Sequence, residues 1–151
     1  MKLALFLTMI ISFSAFAETC YVRDTELTTT EVSLAREICI GNIDINLNHF
    51  GKSAALIHYT LDGVSKTKSI DLVRPIERRD GNIMFGVYYF ESNGVGGFCG
   101  DTTEASTFGW LVLDANGKNP RIEEIKGEVT FSNDNCHSDG RVIQTVKYEA
   151  R

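Results

Sequence analysis

The chain has 151 residues, with 20 Asp and Glu against 15 Lys and Arg, giving a formal charge of −5 at pH 7. An acidic surface repels phosphate backbones and anionic lipid heads, which argues against nucleic acid and membrane surfaces as partners. The charges are scattered, and the basic pair Arg78-Arg79 has Glu77 and Asp80 beside it.

The N-terminal stretch reads as a secretion signal. Lys2 supplies a positive start, Leu3 to Phe16 form an apolar run, and Ala15-Phe16-Ala17 offers the small-x-small pattern cut by a signal peptidase. The run falls short of the ~20 residues a helix needs to cross a bilayer, and no second apolar stretch approaches that length, so no membrane span is expected. A lipid anchor would need a cysteine directly after the cut, whereas Glu18 and Thr19 precede Cys20. The expected organisation is therefore a signal peptide over 1–17 and one secreted or periplasmic domain over 18–151.

Short apolar stretches follow, punctuated by Gly, Asn, Asp and Ser, which is the pattern of strands and turns. Between Leu27 and Leu47, Thr28-x-x-Glu31 resembles a capping box and predicts a short helix near residues 30–37. Ile38-Cys39-Ile40 and Ile43-Asp44-Ile45 alternate like a strand, and their parity changes across Gly41, which predicts a β-bulge. Ala54–Leu61 and Val64–Val73 read as strands joined by a two-residue Asp62-Gly63 hairpin. Ile83–Phe90 is apolar on both pleat faces, as is Phe108–Leu113 with Trp110. After a turn over Asp114–Pro120, Ile125, Val129 and Phe131 point one way and Glu124, Lys126, Glu128 and Thr130 the other. Val142, Val146 and Tyr148 share a face of the last strand. Six to eight strands without βαβ alternation predict an all-β fold, an antiparallel β-sandwich or small β-barrel.

All four cysteines, Cys20, Cys39, Cys99 and Cys136, lie after the cut, and an even count in an exported chain points to disulfides. Three connectivities are open; proximity favours Cys20–Cys39 and Cys99–Cys136. The cysteines are too far apart in sequence for the C-x₂₋₄-C pairs of a zinc site.

A Cys99–Cys136 bridge would clasp the glycine-rich stretch 92–104 to the stretch 133–140. It would gather Asp101, Glu104, Asp134, His137 and Asp139. Asp101, Glu104 and His137 are the candidate ligand-binding residues. Such oxygen donors suit Ca²⁺, and a histidine beside carboxylates can act as a general base, yet each residue is also an ordinary turn former. No EF-hand loop, P-loop, nucleophile elbow or zinc-protease helix is present, so no metal site, cofactor or catalytic residue is assigned. His58 reads as a surface or half-buried strand residue, and His49 sits in a turn with no nameable partner. Of Tyr88-Tyr89-Phe90, alternation allows at most one tyrosine on any one surface, with core packing as the expected role.

The expectation is a monomeric, exported, non-catalytic binding module that presents disulfide-anchored loops to a protein or small ligand. Two alternatives are an inhibitor of secreted hydrolases, using 94–104 as a protruding loop, and a Ca²⁺-dependent or hydrolytic enzyme using Asp101, Glu104 and His137.

Overall fold

The computed structural model describes residues 18–47, 53–96, 100–133 and 140–151. Among the described residues nine strands follow one another: β1 (Thr19–Arg23), β2 (Glu37–Leu47), β3 (Ser53–Leu61), β4 (Val64–Asp71), β5 (Glu77–Arg79), β6 (Asn82–Gly96), β7 (Thr102–Leu113), β8 (Arg121–Ser132) and β9 (Arg141–Ala150). They form one antiparallel sheet, ordered β4-β3-β2-β1-β9-β8-β7-β6-β5 and curled into a half-barrel. The order is sequential around a circle and is interrupted only between β4 and β5. It is the order of an up-and-down barrel left open along one seam. The all-β expectation holds, with nine strands instead of six to eight, because β1 and β5 have five and three residues, too few for alternation to show. Among the described residues no helix is long and apolar enough to cross a membrane.

Alternation fills the inner face. Ala55, Ile57 and Tyr59 of β3 meet Phe85 and Val87 of β6, Leu111 of β7, Val129 of β8 and Val146 of β9 in one apolar cluster. Each fully buried aliphatic side chain stabilises the fold by roughly 1.5–3 kcal/mol relative to exposure. The interior is thus occupied by the chain's own side chains.

Residues 30–37 form no helix, contrary to the capping-box reading. Residues 24–36 are instead an irregular strap that buries Val32, Leu34 and Ala35 in the core. Glu31 does not turn back to cap; its carboxylate accepts from the Thr103 hydroxyl at 2.8 Å. Further anchors hold the strap. The Ser33 N–H donates to Asn93 Oδ1 (3.0 Å), the Ala35 N–H to Glu91 Oε2 (2.6 Å), and Arg36 and Glu37 N–H groups to Asp62 Oδ1 (2.9 and 2.8 Å). Tyr148 donates its hydroxyl to the Ala35 carbonyl at 2.7 Å. Tertiary burial and these bonds outweigh a weak local helix signal.

The Asp62-Gly63 hairpin forms as read, both residues at positive φ (46° and 82°), the type I′ pattern. The Gly41 bulge is also present, as the β2–β3 register slips between Ile40 and Ile43. On β9 a register slip between Val129 and Thr130 of β8 has two β9 residues opposite one. Val142 is therefore exposed (47%) and does not join Val146 and Tyr148 inside.

Cys20 and Cys39 are directly opposite on β1 and β2 and form a disulfide, a bond typical of oxidising compartments. Cys99 and Cys136 lie outside the described residues, as do residues 1–17. The strand ends flanking 97–99 and 134–139 share one end of the sheet: Gly96 pairs with Thr102, Thr102 with Ser132, and Phe131 with Arg141.

Candidate functional site: an aromatic hollow on the outer face

The site begins with a break in β6. Val87 pairs with Gly109 and Glu91 with Thr107, so four steps on β6 match two on β7, and Tyr88, Tyr89 and Phe90 bulge out of register. Tyr89 takes up the distortion at φ 59°, a left-handed conformation rare for a bulky residue and costing about 1–3 kcal/mol. Both tyrosines turn outward, 60% and 52% exposed. This corrects the expectation that they would pack in the core and that only one could line a given surface. That expectation assumed an unbroken pleat.

The bulge is held from the other side of the seam. Phe90 turns inward and meets Tyr59 edge-to-face, ring centroids 5.1 Å apart. Tyr59 donates its hydroxyl to the Phe90 carbonyl at 3.1 Å, and Lys68 of β4 donates to the Tyr89 carbonyl at 3.0 Å. Side chains thereby satisfy two carbonyls of the distorted segment.

Outside, a hollow of ≈ 250 Å³ is lined by Tyr88, Tyr89, Glu104, Ser106, Phe108, Glu128 and Thr130. The β7–β8 register explains the grouping, since Glu104 lies opposite Thr130 and Ser106 opposite Glu128, all on one face. Glycines make room for the larger groups. A Cβ on Gly86 would lie 2.9 Å from Tyr88 Cε2, so the Tyr88 ring covers bare backbone. A Cβ on Gly94 would lie 3.0 Å from Glu104 Cγ, so the Glu104 side chain also lies close to a glycine. At the margin Lys126 places its ammonium 4.8 Å from the Phe108 ring centroid and 3.4 Å from Glu128 Oε1.

Of the residues singled out in the sequence, Glu104 lines this hollow. Asp101 is exposed just ahead of β7 and is not among the lining residues, while His137, Asp134, Asp139 and His49 lie outside the described residues. The glycine-rich stretch is less of a loop than expected, because β6 continues through Gly96. His58 is half-exposed between Asp44 (3.5 Å) and Thr67 (3.3 Å), as its strand position suggested. Among the described residues, the group Glu18, Cys20 and Cys39 clusters within 4.8 Å, but both sulfurs are already joined to each other.

Two other hollows have structural uses. One of ≈ 490 Å³ lies in the seam between β4 and β6, where its carboxylates, Asp62 and Glu91, bind strap N–H groups. Burial above all raises the Glu91 carboxyl above the ordinary glutamate range, against the lowering effect of the Ala35 N–H. The other, ≈ 320 Å³, is formed by the strap itself and its hairpin anchor. The outer hollow differs: Tyr88, Tyr89 and Glu104 are exposed without holding any other element in place.

Alternation along β6 gives no sign of the bulge. The signal that points to it is the pair of glycines in neighbouring strands, Gly86 and Gly109, since glycine inside a strand marks a bulge or close approach. No known protein family, curated protein or solved structure matches this chain.

Proposed function

We propose that the chain is an exported, non-catalytic binding module that captures its partner at the Tyr88–Tyr89 hollow. In this reading residues 1–17 direct export and are removed, and the domain works in a secreted or periplasmic setting, with which the Cys20–Cys39 bridge accords. The observation that carries the reading is the bulge, in which a strained backbone holds two tyrosines in solvent beside Phe108 and Glu104. Backbone strain of this kind clusters at sites that engage other molecules. Tyrosine is enriched at binding surfaces because it pairs a flat apolar body with a polar tip.

The test replaces Tyr88 by Ser and Tyr89 by Gly, which accepts φ 59° without steric cost. Stability in urea is expected to stay within about 1 kcal/mol of wild type, because the lost packing is small and the strain is relieved. Partners retained by the immobilised wild-type protein from the exported fraction are expected to be lost. Unchanged partner capture by the double variant overturns the reading, as does a loss of stability large enough to show that the tyrosines support the fold.

A further inference from the structure

We infer that the occupant of the outer hollow is an arginine side chain projecting from a partner protein; the inference rests on the reading of that hollow as the binding surface. Three features favour a planar cation. First, the acidic groups lining the hollow are two carboxylates, Glu104 and Glu128, and no basic residue lines it. In the β7–β8 register they sit diagonally, Glu104 opposite Thr130 and Glu128 opposite Ser106, a spacing of roughly 7–8 Å between backbones. An anion would be repelled there. A neutral sugar would desolvate two carboxylates without supplying a countercharge. Among the described residues Glu104 has no ion pair, so its charge is available.

Second, the remaining walls are aromatic. The Tyr88 and Tyr89 rings lie 6.3 Å apart, tilted by 53°, with Phe108 completing the hollow. Ring faces attract cations, and the chain already displays this chemistry at the margin. Lys126 sits over Phe108 at 4.8 Å while reaching Glu128 at 3.4 Å, one cation held between ring and carboxylate.

Third, size selects a side chain over a cofactor. The hollow of ≈ 250 Å³ falls below the ~300–1,000 Å³ of sites that enclose whole drug-sized ligands. Arginine fits better than lysine because its planar guanidinium stacks on rings and forks toward carboxylates, which an ammonium cannot do. The chain's net charge of −5 also attracts a basic partner at long range.

The test is a titration of the isotopically labelled, disulfide-bonded protein, followed by nuclear magnetic resonance, with Nα-acetyl-arginine amide as the probe. The uncharged isostere Nα-acetyl-citrulline amide is the control. Saturable shifts at Tyr88, Tyr89 and Phe108 are expected with arginine, and binding should weaken as NaCl rises. Citrulline is expected to bind about fivefold more weakly or worse, and Glu104→Gln with Glu128→Gln should weaken arginine binding about as much. Lys126→Gln, which removes the resident cation from Phe108 and frees Glu128, should strengthen it. Equal binding of citrulline, or weaker arginine binding by Lys126→Gln, overturns the assignment. Partner capture separates this inference from the proposal beneath it. If Tyr88→Ser abolishes capture and the two glutamine replacements leave it intact, the hollow binds something other than arginine. If Tyr88→Ser leaves capture intact, the hollow is not the surface and both readings fall.

Discussion

Gly127 and Leu34 test whether the strap is seated in the core as described. Gly127 is buried on β8, opposite Thr107 and Val146. A Cβ added there would lie 2.5 Å from Leu34 Cδ1 and 2.9 Å from Val146 Cγ2. Gly127 is not among the residues at positive φ, so Ala meets no backbone penalty and should gain about 0.4–1 kcal/mol by restricting the unfolded chain. Overpacking works against that gain and costs about 1–3 kcal/mol, so Gly127→Ala is expected to be net destabilising. Leu34→Ala, at a side chain 5% exposed within the core cluster, is expected to cost about 2–5 kcal/mol. In the double variant the new methyl enters space that Leu34 has left. The combined loss should therefore fall short of the sum of the two by an amount within the ~0.5–3 kcal/mol seen for contacting residues. Equilibrium urea unfolding of the disulfide-intact proteins measures all four corners of the cycle. Additivity within about 0.5 kcal/mol would refute the contact, and a stabilised Gly127→Ala single variant would show that the strap does not press on β8.

Removing the Cys20–Cys39 bridge, with a sequence separation of 19, should cost about 2–4 kcal/mol in thermal or urea unfolding; an unchanged midpoint would contradict its role. Because Glu91 is raised by burial, the folded state holds its proton more tightly than the unfolded one. Its contribution is therefore complete below the ordinary glutamate value and is lost as pH rises through the raised one. Glu91→Gln keeps an acceptor for the Ala35 N–H, so wild type should lose stability relative to it as pH climbs above that ordinary value; a pH-independent difference sinks the argument. The Tyr148 phenol is pushed up to about 12, chiefly by burial, from an ordinary value of 10.0. Stability should thus fall as pH rises from 10 toward 12, and Tyr148→Phe should flatten that fall in unfolding measurements across the same interval.

The sequence carried the parts of the fold that depend on local period and turn chemistry. Asp62-Gly63 is readable because Asp-Gly is itself a two-residue hairpin signal and strand-length stretches lie on both sides of it. Asp80-Gly81 makes the same left-handed pair, at φ 50° and 79°, but β5, which contributes only Glu77–Arg79, is too short to mark a strand ahead of it. The Gly41 bulge was readable because apolar residues flank it and reveal the change of parity. The β6 bulge sits within an unbroken apolar run, Ile83 to Phe90, where a change of parity leaves no mark. For the same reason the two tyrosines read as core. The strap failed for a different reason. Val32, Leu34 and Ala35 are buried in the distant core, and Ala35 is held by Glu91 and Tyr148, 56 and 113 residues away, partners that no local window contains. Sequence neighbours point to Glu104, yet it lies in the hollow through its β7–β8 register with Thr130.

The distribution of strained residues bears on why Tyr89 stands where it does. Among the described residues, five other than glycine have positive φ: Asp62, Asp80, Tyr89, Asn119 and Glu124. Asp62, Asp80 and Asn119 occupy turns, where short polar side chains tolerate the left-handed region. Tyr89 and Glu124 lie within strands. Glu124 marks the β8 bulge, where the register slips between Phe108 and Trp110 of β7, and its carboxylate binds Arg79 of β5 at 2.6 Å. Its side chain thus ties two strands together. Tyr89 differs, because Lys68 and Tyr59 hold the bulge through backbone carbonyls, an arrangement that any residue at position 89 would allow. Glycine would satisfy that backbone with less strain. What tyrosine adds is a ring, half exposed and beside Tyr88 and Glu104. The bulge supplies the backbone geometry, and the side chain it presents is the part of the arrangement that stability does not explain.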